Sequence, residues 1–251
     1  MKIVVCVKQA ASLGDEVAFA EDGRAVDPDY LDFALNECDA YASEEALRLR
    51  EMAGGEVVVV TVGDEGADPA LRRCLAMGAD RAIRVWSDGL AGGDPIAVAR
   101  VLADAVRAEN PDLVLCGVQS SDEANGAVGS ALAAFLDFPC EACAVGLELD
   151  GNGTARVRRE LEGGLIEVRE VQLPAVITVQ TGINEPRYAT FRAIKQAEQK
   201  ELAVREAAVP RAHARIVRMA EPLREHHAEM IEGKASVVAE RIATILKERL
   251  S

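Results

Sequence analysis

Short runs of consecutive apolar residues, each followed by a segment of helical periodicity, constrain this chain more than any other feature. Residues 3–7, 56–62, 82–86 and 113–116 are apolar at nearly successive positions. A strand with one face in water alternates apolar and polar residues, so such runs predict strands buried on both faces. Between them lie helical patterns. In residues 39–51, Ala42, Ala46, Leu49 and Met52 recur at helical spacing, with Asp39 as the expected N-cap and Gly54-Gly55 as the stop. Residues 69–77 form a short helix closed by Gly78, and residues 94–108 a longer one with Asp94 as cap and Pro95 at its first position. The fold class this predicts is α/β: a mostly parallel sheet with helices on both faces, Rossmann-like and of the nucleotide-binding type.

The remaining segments read differently. Residues 9–32 form a long polar connection with a hairpin tip at Glu21-Asp22-Gly23-Arg24. Residues 140–149 read as a strand ending in Asp150-Gly151-Asn152-Gly153. A hairpin follows over residues 155–173 around Gly163-Gly164, then an apolar strand at 175–179. Beyond Gln199 the chain is charged and poor in core residues up to Gly233, a section expected to lie outside the domain. Residues 235–250 then carry Val237, Val238, Ile242, Ile245, Leu246 and Leu250 at helical spacing, a stripe suited to a subunit interface or to folding back. The division expected is an α/β domain over 1–199 and a C-terminal arm with a helix over 200–251.

Residues 112–138 are the stretch most suggestive of chemistry. An apolar strand breaks at Gly117 into the polar loop 118–125, and a helical pattern runs from about Gly126 to Asp137. A loop that enters a helix from a parallel strand aims unpaired backbone N–H groups at an anion. Gly126 and Gly129 allow close approach, and Ser120, Ser121, Asp122 and Asn125 add polar contacts, with Asn125 an expected helix cap. In open parallel sheets ligands bind at the carboxyl ends of strands. The loops after Val7 and Val62 leave the same edge as loop 118–125, which nominates a nucleotide or a similar anion.

Composition narrows the partners. A net charge of −14 excludes a preference for nucleic acid or an anionic membrane surface, and aromatics at 4% leave no stacking platform for bases. No run approaches the ~20 apolar residues of a membrane span, and the N-terminus reads as a first strand rather than a signal peptide. The six cysteines are scattered, which fits a reducing cytoplasm; Cys140 and Cys143 form a CxxC without a second pair to complete a zinc site. No metal site and no catalytic constellation emerges. His213, His226 and His227 all fall in the charged C-terminal section, and the neighbours Glu44 and Glu45 read as surface charges on a helix.

Several segments, in order, carry a resemblance. They are Val4 to Gln9 (VVCVKQ), Leu35 to Ala42 (LNECDAYA), Leu75 to Ala82 (LAMGADRA), the 112–138 stretch, Phe135 to Pro139 (FLDFP), Leu173 to Thr178 (LPAVIT) and Asn184 to Thr190 (NEPRYAT). Over residues 1–200 the chain resembles the beta (small) subunit of electron-transfer flavoproteins. The resemblance implies a heterodimer whose alpha subunit holds the redox-active FAD, taking electrons from dehydrogenases such as acyl-CoA dehydrogenase and passing them toward a membrane quinone oxidoreductase. The beta subunit would be a carrier component rather than an enzyme, holding an AMP or, in bifurcating members, a second FAD.

By the same resemblance the cofactor site involves Gln9, Ala10, Asn36, Val62, Gly63, Asp122, Asn125, Gly126, Ala127, Val128 and Gly129. Dehydrogenase recognition falls to the loop 184–197, through Tyr188, Thr190, Phe191, Arg192 and Ile194. Phe191 stands where the family has a protruding leucine, and its alternative is a core position in the following helix. The chain departs from the family at Ala127 and Val128, where a glutamine and often a threonine are usual, and at Ala10-Ala11-Ser12-Leu13, where Val-Pro-Asp often follows. Gln196, Glu198 and Gln199 replace lysines found in some members. The competing readings are a nucleotide-binding stress or sensor protein on a similar sheet and an ATP-cleaving ligase. The ligase is rejected because residues 7–12 lack its Ser/Gly-rich loop.

Overall fold

β-branched side chains crowd the backbone into extended conformation, and the Val57–Val60 run forms an inner strand of the main sheet. The computed structural model describes residues 1–14, 17–90, 94–222 and 230–250. The strands are β1 (Lys2–Cys6), β2 (Gln9–Leu13), β3 (Leu31–Leu35), β4 (Glu56–Val62), β5 (Arg81–Trp86), β6 (Leu113–Gly117), β7 (Cys140–Leu149), β8 (Thr154–Leu161), β9 (Leu165–Gln172), β10 (Ala175–Val179) and β11 (Leu202–Glu206). The helices are α1 (Glu37–Ala53), α2 (Asp68–Met77), α3 (Pro95–Glu109), α4 (Val128–Leu136), α5 (Phe191–Gln199) and α6 (Ala235–Leu250).

Among the described residues the main sheet has nine strands in the order β11-β5-β4-β1-β6-β10-β7-β8-β9. Pairing is parallel from β11 through β7 and antiparallel across β8 and β9. Successive residues of the central strands feed opposite layers. Ile3 and Val5 join Leu47, Leu49 and Leu71 beneath α1 and α2, while Val4 and Cys6 join Val101, Leu102 and Leu132 beneath α3 and α4. The doubly covered parallel sheet expected from the apolar runs is therefore present. From β1 the chain builds outward first through β4 and β5, then on the other side through β6, so the strand order reverses between β1 and β6.

Several expectations need correction. The polar connection 9–32 is not irregular throughout: its ends contribute β2 and β3, an antiparallel ribbon, with the tip at residues 21–24 as expected and a bridge between Phe19 and Val26. Helix α1 begins three residues before the expected start, with Asn36 at the N-cap; Asp39 lies inside its first turn and is buried. Helix α4 begins at Val128 rather than Gly126, with Ala127 at the N-cap, so Asn125 is not its cap. Glu44 and Glu45 are buried rather than surface charges.

The charged section after Gln199 enters the sheet as β11, paired with β5. Arg205 of β11 and Arg81 of β5 both donate to the buried Glu109 at the end of α3, so charge fastens the strand that hydropathy missed. The chain forms two compact units, Met1–Arg218 and Met219–Ser251. In the second, α6 has no buried residue, and Val237, Ile242, Leu246 and Leu250 are exposed. His226 and His227 lie outside the described residues; His213 meets Asp94 through its backbone N–H.

Candidate functional site

Where the strand order reverses, the loops leaving β1 and β6 must diverge to opposite faces, and a cleft opens between them. Cys6 and Cys116 are register partners at that end. The cleft, about 180 Å³, is lined by Cys6, Val7 and Lys8 after β1, by Val62 of β4, by Gly117–Ser120, Glu123 and Asn125–Gly129 after β6, by Asn36 and Asp39 of the α1 start, and by Asp94, Pro95, Val98 and Leu102 of α3.

Three fixings shape it. The Asp39 carboxylate accepts the backbone N–H of Lys8 at 2.8 Å and that of Gly117 at 2.7 Å, binding the ends of β1 and β6 to α1. Burial pushes this carboxyl up to about 6, against the lowering pull of those hydrogen bonds. Asn36 staples the loop after β6, donating to the Gln119 carbonyl at 3.0 Å and accepting from the Ser121 N–H at 3.2 Å. Lys8 Nζ lies 2.7 Å from Asp122 and 3.1 Å from Glu123, while the Ala11 N–H reaches the other Asp122 oxygen at 3.1 Å. Burial raises the Asp122 carboxyl, but its hydrogen bonds from Lys8, Ser120 and Ala11 outweigh this and hold it at about 2.

The lower wall is apolar. Cys6 is pushed up to about 12 by burial and then by the Asp39 charge, so its thiol is a neutral packing group. Gly129 lets α4 settle onto the sheet: a Cβ there would stand 2.4 Å from Thr178 Cγ2 and 2.8 Å from Cys116 Sγ. Its close seat brings the α4 N-terminus to the cleft. Ala127 provides no side-chain cap, so the first-turn N–H groups are left to other acceptors. Asp94 both caps α3, through the N–H groups of Ile96 and Ala97, and accepts from the backbone of His213 and Ala214.

Of the residues the sequence nominates, Asn36, Val62, Asn125, Gly126, Ala127, Val128 and Gly129 line the cleft, whereas Gln9, Ala10, Gly63 and Asp122 do not. Gln9 and Ala10 belong to the β2–β3 ribbon, the Gly63 N–H is spent on the Val85 carbonyl, and Asp122 is turned to Lys8. Glu123, inside the nominated loop, also lines the cleft, and sequence reasoning missed Lys8, Asp39 and Asp94 there. The one available signal was Asp39, a carboxylate one helical turn past Asn36. Among the described residues no group of three or more His, Cys, Asp or Glu could hold a metal ion.

The loop 184–197 presents a second surface. Tyr188 is 89% exposed, Phe191 74% and Ile194 43%, so Phe191 is not a core residue of α5. Thr190 caps α5 by accepting the Ala193 N–H at 3.2 Å, and Arg192 is exposed. Lys195 Nζ stands 5.0 Å from the centre of the Phe191 ring.

A doubly wound α/β domain with its cleft at the topological switch point, a β-hairpin edge and an exposed aromatic loop defines a Rossmann-like class of protein. Residues 25–210 match the family model described as Electron transfer flavoprotein domain. A protein of Methylophilus methylotrophus named Electron transfer flavoprotein subunit beta is 42% identical over 261 residues, covering 99% of this chain and 98% of its own length. One of the same name from Syntrophomonas wolfei subsp. wolfei is 35% identical over 98% of this chain and 96% of its own. The mitochondrial subunit beta of Oryza sativa subsp. japonica is 40% identical over 80% and 79%. The chain belongs to the electron transfer flavoprotein family, as a beta subunit, and is thus an electron-transfer component of a flavoprotein. The stress or sensor reading is set aside. Among the described residues no helix is long and apolar enough to cross a membrane.

Proposed function

We propose that the chain works as the beta half of a heterodimer, in which an alpha subunit holds the redox-active FAD. It buries an adenine nucleotide in its own cleft and docks dehydrogenases of the acyl-CoA dehydrogenase type for electron transfer toward a quinone oxidoreductase. It performs no bond chemistry alone, and we assign the complex to the cytoplasm. The observation that carries the nucleotide reading is the meeting of the uncapped α4 N-terminus with the ends of β1, β4 and β6 around one cleft.

The donor set fits a phosphate. First-turn N–H groups of α4 would take the anion, Gly126 permits close approach, and Asn125 and Lys8 border the same space. Ala127 and Val128 add no side-chain donors, so backbone groups carry more of the contact. The apolar wall of Val62, Val98 and Leu102 suits a base. The flavin of the complex supplies the electron-accepting chemistry; this chain's residues bind, orient and dock. The exposed apolar side chains of α6 support the arm and helix packing on the partner subunit.

The test is co-expression with the alpha subunit, followed by denaturation and identification of the released nucleotides. FAD with AMP is expected. Two FAD per complex would instead mean a bifurcating member, and one FAD alone overturns the cleft as a nucleotide site.

A further inference from the structure

Resting on the docking surface assigned above, we propose that Arg187 is a positioning residue for it. Held on α1, Arg187 presents Tyr188, Phe191 and Ile194 in the pose that meets the dehydrogenase. The guanidinium grips Glu44 with two donors, Nε at 2.8 Å and Nη2 at 3.0 Å, and Glu51 with Nη1 at 2.6 Å and Nη2 at 3.3 Å. The Arg187 N–H adds a further bond to Glu44 at 3.1 Å. Glu44 is 5% exposed, so the fork ends on a carboxylate that is itself fixed.

The rest of the segment is fastened in the same manner. Asn184 donates to the Tyr41 carbonyl at 3.1 Å and to Glu45 at 2.9 Å, again on α1. At the far end Arg72 of α2 donates to the carbonyls of Ala197 and Lys200, and Lys200 Nζ reaches the Ala79 carbonyl. Residues 184–200 are thus held at both ends on α1 and α2, while Tyr188, Phe191 and Ile194 between them are exposed. An exposed anchor on a loose loop loses ordering entropy at every encounter; an anchor already held does not. A bidentate fork fixes direction as well as distance, which a lysine cannot do.

Simple charge compensation of Glu44 and Glu51 is the competing account, and Arg187→Lys separates the two because it keeps the charge and loses the fork. In the intact heterodimer, Arg187→Lys is expected to raise the dehydrogenase KM about tenfold, with kcat and flavin reduction by dithionite unchanged. Glu51→Gln, at the half-exposed outer contact, is expected to raise KM several-fold and serves as the second variant where Arg187→Lys fails to assemble. Each is combined with Phe191→Ala. If Arg187 acts by aiming the exposed side chains, of which Phe191 is one, each substitution raises KM by clearly less once the ring is gone than it does with the ring present. An unchanged KM in Arg187→Lys and Glu51→Gln, or full additivity with Phe191→Ala, overturns the positioning role while docking stands. No effect of Phe191→Ala itself removes the docking surface instead.

Discussion

Replacing Gly117 by alanine tests whether the cleft depends on clamping β6 to α1. An added Cβ would lie 2.4 Å from Asp39 Oδ1, 2.6 Å from Cys38 Cβ and 3.0 Å from the Asp39 backbone nitrogen. The carboxylate alone could swing aside, but the α1 backbone is part of a packed helix, so the first turn of α1 must move away from the sheet. Overpacking of this kind costs about 1–3 kcal/mol. The same movement breaks the 2.7 Å bond from the Gly117 N–H to a charged acceptor, worth about 1.5–3 kcal/mol. Gly117→Ala should therefore destabilise the fold by about 3–5 kcal/mol, lowering the thermal midpoint by roughly 10 °C at this chain length. Trp86, the sole tryptophan, packs against the core layer under α3 and makes fluorescence-monitored urea unfolding the natural assay. Gly126→Ala is the control: its surroundings are open, and the residue pays only for a backbone φ of +60°, about 1–2 kcal/mol. A loss below 1 kcal/mol in Gly117→Ala, or one no larger than in Gly126→Ala, refutes the clamp.

Further outcomes can be measured on the same preparations. Burial raises Asp39 to about 6 from an ordinary 3.8, so its contribution to stability is full below about pH 4 and is lost as pH rises through 6, some 3 kcal/mol in all. The pH dependence of urea unfolding should flatten across that window in Asp39→Asn; an unaltered slope would contradict the assignment. Asp122 is held at about 2, so its contribution is present above pH 4 and lost as pH falls toward 2, an acid-side loss that Asp122→Asn should remove. Val128→Thr adds one hydroxyl donor at the α4 start and should tighten AMP binding to the heterodimer about tenfold by calorimetry. Phe191→Ala should shift the unfolding midpoint by less than 2 °C because the ring is 74% exposed.

How much of this could be read from residue order depends on the range of the interaction involved. The strand at 56–62 emerges at its full observed bounds because a strand buried on both faces is apolar nearly throughout, and the one at 140–149 because Pro139 and the Asp150–Gly153 turn punctuate it; both signals are local. Asp94 with Pro95 and Gly78 are likewise helix signals complete within a few residues. The ribbon of β2 and β3 escaped because each strand is only five residues long and largely exposed, and the two pair across the seventeen residues 14–30. β11 escaped because Arg205 reads as solvated until Glu109, 96 residues away, is placed beside it.

The cleft divides along the same line. Sequence alone determined the parallel sheet, the strand-loop-helix at 112–138 and the glycine at 129. It determined family membership too, since ordered motifs survive without coordinates. Only the tertiary structure decided that Asp39 is a clamp rather than a cap, that Asp122 holds Lys8 instead of facing the cleft, and that Glu44 and Glu45 are buried anchors. A carboxylate's role is set by which donors reach it and how much water remains. Both depend on elements far apart in the chain, so neither is written at the residue itself.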